Sequence, residues 1–572
     1  MKKKTRFLAL AICISFLLSL CACRAEKAEK TLPALQTIPA ADEASAPEAP
    51  AIETLAAGGY FEPRARQELS FREMAAEEIP YEAFIPYAQA LETAAASKSR
   101  EAFHRACTQA EKMLLDIDTA ASLLELESDR DAGDETRSKR ADRQAEAYAD
   151  AADLYQKTLH KIALGENAAM LNKEFETWQV ELFRSYDETS SSQALALSEQ
   201  EAQLVSQYAL LCAQEEMDVD AAAEIYLELV DVRGKTAELA SAPSYADYVY
   251  SARYSRDYTP SDAQKIWKTA KEDFAPLLNR YSDALLQALR ESGAADRTDV
   301  SEERILRALS YGAARMSPEI NEAAEYLLSH ELYDISDSER KLSIGYTAYL
   351  YSYEVPYIFN CPYGTFDDYT DLFHEFGHWL SGYYHGSDAL YGVTDYDLSE
   401  LQSQGMEVMF LQFYDDLFAE DAELFRAQVL LNLVYSVVVG AMYDEFQQRV
   451  YAEPGLSAER LSEMFREVYE SYGFEVYDGC EYEWTQVVHN FQQPFYYISY
   501  AVSAIPALEL YVQSTESPND AMDTYLRVAA MSDEDFFLTD ALREAGFSNS
   551  MKSPIGDVIA QELENSGAFG IF

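Results

Sequence analysis

Basic residues are the first thing this chain lacks. Its 45 Lys and Arg stand against 99 Asp and Glu, a formal net charge of −54. Nucleic acid is excluded as a partner, because neutralising phosphates requires a positive surface. Glycine and proline are also sparse, 22 and 18 in 572 residues, while Ala, Leu and Glu abound. A mainly α fold is expected, in a chain long enough for one large core or two to three lobes. Cysteine is scarcer still, and Cys107, Cys212, Cys361 and Cys480 lie far apart with no CxxC pair. That excludes a disulfide framework and a cysteine-built zinc site, so these thiols are expected to be free or at most singly paired. The acidic excess is read as solubility at a salty cell exterior, with steering of cationic peptides a lesser role.

The first 22 residues are a different object. Lys2, Lys3, Lys4 and Arg6 precede an apolar run of 14 residues, 7–20, shorter than the roughly 20 needed to span a bilayer. This reads as a secretory signal. Leu20-Cys21-Ala22-Cys23 resembles a bacterial lipobox, which would leave Cys23 as a lipidated N-terminus. The expected location is the outer face of a bacterial membrane, anchored by lipid and not spanning; ordinary secretion is the alternative. Losing four cations with the leader would take the net charge to −58. Residues 23–58 are rich in Ala, Glu and Pro without an apolar stripe and are expected to form a disordered tether.

From 59 to 245 the pattern is helical, with apolar residues at three- and four-residue spacing over 145–164 and 199–227. This is read as an N-terminal helical lobe. Ser241-Ala242-Pro243-Ser244 is a joint, and Thr259-Pro260-Ser261-Asp262 carries the signals of a helix start. Residues 246–572 form the second region, which holds five of the seven histidines: His330, His374, His378, His385 and His489. His330 has no partner at ligand spacing and is read as structural.

The chemistry centres on His374-Glu375-Phe376-Gly377-His378. On a helix, residues four apart share a face, so both imidazoles can meet one metal ion while Glu375 reaches a water on it. Zinc with two histidines, a third ligand and an open position is the arrangement of a metallopeptidase. The run from Tyr353 to Cys361 is strand-like and ends in a turn at Pro362-Tyr363-Gly364-Thr365; Asp367 and Asp368 then open the motif helix. Such a strand can offer its edge to an extended peptide, with a small structural hairpin as the plain alternative. Asn360 and Gly364 become candidate substrate contacts.

A third ligand is required. His385 falls out of the metzincin register, and on a continuing helix it lies about 10 Å beyond His378. The better candidate is Leu398-Ser399-Glu400-Leu401-Gln402-Ser403-Gln404-Gly405-Met406-Glu407. Glu400, Ser403, Gln404 and Glu407 share one face of a helix that its apolar flanks would bury, and buried carboxylates need partners. Glu400 as ligand and Glu407 as hydrogen-bond partner of a ligand histidine satisfy both. Two imidazoles and one carboxylate suit zinc best, one ion per chain.

A third block, His489-Asn490-Phe491-Gln492-Gln493-Pro494-Phe495-Tyr496-Tyr497-Ile498-Ser499-Tyr500, is read with Pro494 in a helix first turn and Tyr497 and Tyr500 close to one face. Tyr or His donors there would stabilise an oxyanion. Taken with Asn360 to His378 and Glu400-x-x-Ser403-Gln404-x-x-Glu407, this block gives the chain a resemblance to the thimet oligopeptidase and oligoendopeptidase F family of zinc metallopeptidases. The resemblance implies zinc on His374, His378 and Glu400, and Glu375 as general base. It implies that His489, Tyr497 and Tyr500 contact substrate and transition state, with Tyr496 as a further substrate contact. It also implies a zincin-like helical ellipsoid of two lobes around a deep channel that admits short peptides, with a small β element beside the active site. A monomer is expected. Many family members are cytosolic, so the lipoprotein signal is a departure. Two rivals stand beside this reading: another zinc peptidase acting on open protein substrates, and a surface lipoprotein that binds peptides without turnover.

Overall fold

The computed structural model describes residues 54–571, apart from 63, 65–67, 186–187, 213, 215–216, 339, 389, 393, 454 and 554. The signal segment, Cys23 and most of the expected tether lie outside the described residues. The tether's last residues do not: Leu55 and Ala56 donate their amides to Arg315 O at 2.8 Å and Met316 O at 3.0 Å, and Ala56 is buried. The folded body therefore starts before residue 59, because this short apolar pair has a core to join.

The chain is mainly helical with one small sheet, as composition required. Nine helices matter to the site: α1 Arg100–Asp129, α2 Glu135–Leu164, α3 Val219–Leu239, α4 Asp367–His385, α5 Tyr396–Phe410, α6 Ala422–Ala452, α7 Val488–Gln492, α8 Tyr497–Glu516 and α9 Pro518–Ala529. The pattern over 199–227 falls into two helices and not one. Asp218 breaks it, its carboxylate accepting the Ala221 amide at the start of α3. Thr259 caps the helix that begins at Pro260, with Asp262 completing a capping box, as its sequence signals required. Cys107, Cys212, Cys361 and Cys480 form no disulfide.

Two apolar clusters organise the packing. The smaller lies among residues 84–183, chiefly α1 and α2. The larger runs from Ala56 to Phe569 and takes in residues on both sides of the 241–244 joint, so the first half of the chain helps to build the floor under the second. The stretch Tyr396–Ala452, which contains α5 and α6, is apolar enough in composition to cross a membrane, yet its most apolar window is 94% buried in the core.

The sheet has three strands in the order β1-β3-β2: β1 Tyr333–Asp334, β2 Gly345–Leu350 and β3 Val355–Asn360. β3 is the expected strand, but its edge is not free. β2 pairs with it antiparallel over its whole length, and β1 runs parallel at Ile358 and Phe359. Every residue of β3 is buried, whereas β2 is half-buried. Both outer strands are edges, the two-residue β1 and the longer β2, and β3 is the strand that fastens α4: Trp379 donates its indole N–H to Pro356 O at 2.9 Å.

Candidate active site

α4 begins where Asp368 gathers loose amides. Its carboxylate accepts the N–H groups of Tyr363 at 2.7 Å, Gly364 at 2.8 Å and Thr365 at 3.2 Å, with Gly364 in the left-handed region at φ 76°. The Gly364 amide is thus engaged within the turn. Along α4 the apolar side packs inward while His374 and His378 turn toward α5. The approach of the two helices is set by Gly377. A Cβ there would lie 2.5 Å from Ser403 Cα and 2.9 Å from Gln402 O, so only glycine lets α5 come this close.

That approach delivers Glu400. Its Oε2 lies 3.4 Å from His374 Nε2 and 3.9 Å from His378 Nε2, and the imidazole rings are 4.9 Å apart. Three ligand atoms, one from each residue, fall within 4.8 Å of one another. Donors bound to one tetrahedral zinc at about 2.0–2.1 Å are separated by ~3.3 Å, so side-chain shifts that draw the ligand atoms together by up to about 1.5 Å would close the set on an ion. The Nδ1 atoms are both held from behind, His374 by Glu407 Oε1 at 2.7 Å and His378 by Ser399 Oγ at 3.0 Å. This fixes each ring with Nε2 toward Glu400, the arrangement a metal ligand requires. Burial pushes His378 down to about 4, which keeps it neutral. Burial opposes the charge on Glu400, but the adjacent His374 outweighs it and holds the carboxyl down at about 2. A zinc ion fits this donor set by ligand type, by spacing and by the support behind each ring.

Glu375 sits beside this group, buried, and accepts the Thr347 hydroxyl on Oε2 at 2.7 Å. Burial raises its carboxyl to about 7. Thr347 lies in β2, so the free strand edge and the glutamate are adjacent. Asn360 is buried nearby with its Oδ1 unpartnered; both Asn360 Oδ1 and Glu375 Oε1 come within 4 Å of where a Cβ on Gly345 would stand.

The block from His489 to Tyr500 closes the other side. Tyr496 donates its hydroxyl to Glu400 Oε1 at 2.5 Å, so it touches the carboxylate of the cluster directly. His489 is buried, with Nδ1 unpartnered, and burial lowers it to about 4. Its ring lies 5.5 Å from Tyr496, 4.9 Å from Tyr497 and 6.1 Å from Tyr500. Tyr500 is half-buried, and burial lifts its phenol well above the ordinary range. Tyr497 is deeper, packed 5.1 Å from Tyr443. His385 is remote from these groups and bonds Ala529 O at 3.1 Å, while His330 bonds Tyr326 O at 3.0 Å within its own helix.

Pro494 is not in a helix first turn. α8 starts at Tyr497, and Phe495 adopts φ 64°, a strained conformation for a bulky residue. The turn persists because residues 233–256 hold its carbonyls. Arg233 donates to Asn490 O and Phe491 O, Arg253 to Gln492 O at 3.1 Å, Tyr254 to Pro494 O at 3.0 Å and Arg256 to Phe495 O at 2.9 Å. Gln447 accepts the Phe495 amide at 2.5 Å. Arg256 also pairs at 3.2 Å with Asp397, one turn before Glu400, both side chains fully buried. One guanidinium thus ties the tyrosine block to the helix that carries Glu400.

Sequence reasoning missed Ser399, Thr347, β2, Gly377's role and these arginines. Ser399 was adjacent to Glu400 and so within reach of the pattern. Gly377 lies inside the motif itself, but its role depends on the partner helix, and Thr347, β2 and the arginines lie far from the motifs and carry no local signal.

No protein-family profile matches this sequence, and no protein of curated function does. Solved structures do. PZ peptidase A, determined with an inhibitor, matches at 20% identity and TM-score 0.69 over 88% of this chain and 99% of its own. A protein assigned as oligoendopeptidase F matches at 19% and 0.69, over 87% and 98%. An assigned oligoendopeptidase F from Bacillus anthracis matches at 18% and 0.67, over 89% and 99%. The chain has the fold of these peptidases along nearly their whole length.

Proposed function

We propose that this protein is a zinc-dependent endopeptidase that hydrolyses short peptides. The observation that carries the reading is Glu400 Oε2 facing both histidine Nε2 atoms, at 3.4 and 3.9 Å, with Glu375 beside them. Zinc held by His374, His378 and Glu400 would supply Lewis acidity and a water of lowered pKa. Glu375, oriented by Thr347, accepts the proton of the attacking water and passes it to the leaving amine, and its burial, which favours the protonated carboxyl, helps it to hold that proton between the two steps. Tyr500, kept protonated by burial, and neutral His489 donate to the oxygen on which charge develops. Tyr497 packs against His489 and keeps that ring in place. β2 offers its half-buried edge to the extended substrate, which brings the scissile carbonyl beside Glu375. The sequence signal adds a lipid anchor at Cys23 on the outer face of a bacterial membrane, tested by labelling with a radioactive fatty acid in cells and its loss in Cys23→Ala.

The decisive assay uses a fluorogenic ten-residue peptide, with and without a chelator, beside casein. Cleavage of the peptide that stops on chelation, with casein spared, is the expected result. Glu375→Gln should abolish cleavage while keeping zinc near one ion per chain. Turnover in that variant would remove Glu375 from the mechanism, and peptide binding without any turnover in the native protein would reject the enzyme.

A further inference from the structure

The arginines that seat the His489–Tyr496 turn are not alike. Arg233 is buried with Glu201, and Arg256 is buried with Asp397. Arg253 is exposed. Its Nη2 reaches Gln492 O at 3.1 Å, and among the described residues no carboxylate pairs with it. In a chain with 99 acidic residues, an arginine on the rim of the site without an acidic partner is conspicuous. Its remaining N–H groups present the planar fork that binds a carboxylate.

A run of packed aromatic rings beside it leads to Glu400. The Arg253 guanidinium lies 5.7 Å from the Tyr254 ring. Tyr254 stands edge-on to Tyr396 at 5.8 Å and to Tyr496 at 5.7 Å, and Tyr496 bonds Glu400. Tyr396 is 39% exposed on the first turn of α5, an open aromatic face one helical turn before Glu400. From Glu400 to Arg253 the packing is therefore aromatic, with Tyr396 as its exposed face and Tyr254 buried behind it, and it ends in an exposed cation. Its reach is on the order of 10 Å, or about three residues of extended peptide at ~3.3 Å each.

We propose that Arg253 takes a carboxylate of the bound peptide, a few residues from the scissile bond. The inference rests on the peptidase reading and gives it a substrate class: short peptides with a carboxylate at that distance, either the free C-terminus or an acidic side chain. Gln492 O holds the guanidinium from behind, so part of its freedom is already lost before substrate arrives. The surrounding negative charge repels a carboxylate in general, which makes this local cation selective for one position.

The test compares kcat/KM for two peptide pairs, on the native enzyme and on Arg253→Gln and Arg253→Lys. The first pair lacks Asp and Glu and differs only in a free or amidated C-terminus. The second is amidated and differs only in Glu or Gln at the third residue beyond the cleaved bond. The native enzyme should prefer the carboxylate member of at least one pair by about tenfold, mostly through KM. Which pair responds identifies the source of the carboxylate. In Arg253→Gln that ratio should fall to about one, and Arg253→Lys should keep part of it. Because each ratio is taken on one preparation, incomplete folding or a loosened 492 turn lowers both members alike and leaves the ratio in place. Equal cleavage of both members of both pairs by the native enzyme overturns the proposal, as does an undiminished preference in Arg253→Gln. A protein that cleaves none of the four peptides overturns the peptidase reading, and this inference falls with it.

Discussion

Gly377 should be the residue at which a single methyl group disables the metal site without touching a ligand. In Gly377→Ala the new Cβ would stand 2.5 Å from Ser403 Cα, 2.9 Å from Gln402 O and 3.1 Å from Ser403 N, where ordinary contact begins at 3.4 Å. All three atoms are backbone, so no side-chain rotation relieves the clash and α5 must move by about 1 Å. Overpacking of this kind costs about 1–3 kcal/mol, and the better helix propensity of Ala returns up to about 1 kcal/mol. The net loss of stability is thus about 0–3 kcal/mol. The site is less forgiving, because metal–ligand distances tolerate roughly ±0.2 Å and Glu400 moves with α5. Zinc affinity should fall by about 10–100-fold, as for a lost supporting contact. Competition titration with a chromophoric chelator measures the affinity, and thermal unfolding with and without zinc reports it independently, since binding to the folded state raises the Tm. Gly382→Ala on the same helix is the control: its Cβ would meet only side-chain atoms of Pro356 and Tyr349, at 3.3–3.4 Å. Wild-type zinc affinity in Gly377→Ala would refute the account of how α4 and α5 meet.

Glu400→Ala should lose bound metal and activity together, and zinc content unchanged by elemental analysis would show that another residue is the third ligand. Tyr496→Phe removes the hydroxyl on Glu400 Oε1 and should weaken zinc binding severalfold while leaving the other ligands in place, which a chelator titration reads directly. Arg256→Met strands a fully buried Asp397 and should cost about 3–5 kcal/mol in chemical denaturation. Arg256→Met with Asp397→Leu should regain part of that stability yet keep a low kcat, because the Phe495 turn stays unpinned; full recovery of kcat would show the arginine is only a packing element. Burial pushes Glu483 from its ordinary 4.5 up to about 8. The folded state therefore holds its proton where the unfolded state has lost it, so this group destabilises the fold progressively as pH rises from about 4.5 to 8. Its signature is a Tm that falls between pH 6.5 and 8 and falls less in Glu483→Gln; parallel slopes in the two proteins would reject it.

The His374, His378 and Glu400 cluster was the most legible part of the sequence, because its geometry is local. His374 and His378 are fixed by helix periodicity alone, and Glu400, Ser403 and Glu407 by one more helix whose apolar flanks forced it inside. All that remained was to bring two helices together, and a buried carboxylate on one beside two imidazoles on the other leaves few alternatives. The strand was legible as a strand and not as an edge. The Tyr353 to Cys361 run gives its own conformation, but edge or centre depends on which segments pair with it. β2 is a short run of mixed polarity, Gly345 to Leu350, with little to distinguish it before the sheet forms. The error at Pro494 has the same origin. Local propensity places a proline in a first turn, whereas five groups supplied by residues 233–256 and 447 hold the chain in another conformation.

Those five groups also bear on why the helical first half is needed. A division at 241–244 puts Arg233 on one side and Arg253 and Arg256 on the other, yet all three hold one short segment bearing His489 and Tyr496. A buried guanidinium is tolerated only where carbonyls and carboxylates saturate it. Arg233 meets this with Glu201 at 2.7 Å, Tyr451 at 3.1 Å and the two carbonyls after His489. Removing residues before 245 would therefore expose apolar core and also free those carbonyls and the Phe491 ring stacked 3.6 Å from Tyr208. The His-Glu-x-x-His helix and Glu400 could still meet in such a fragment, because α4, α5 and the sheet contain all that brings them together. His489 and Tyr496 would lose their seat. On the proposed reading, metal binding and substrate turnover would thus depend on different lengths of this chain, the first on local helix geometry and the second on an arginine framework drawn from both sides of the 241–244 joint.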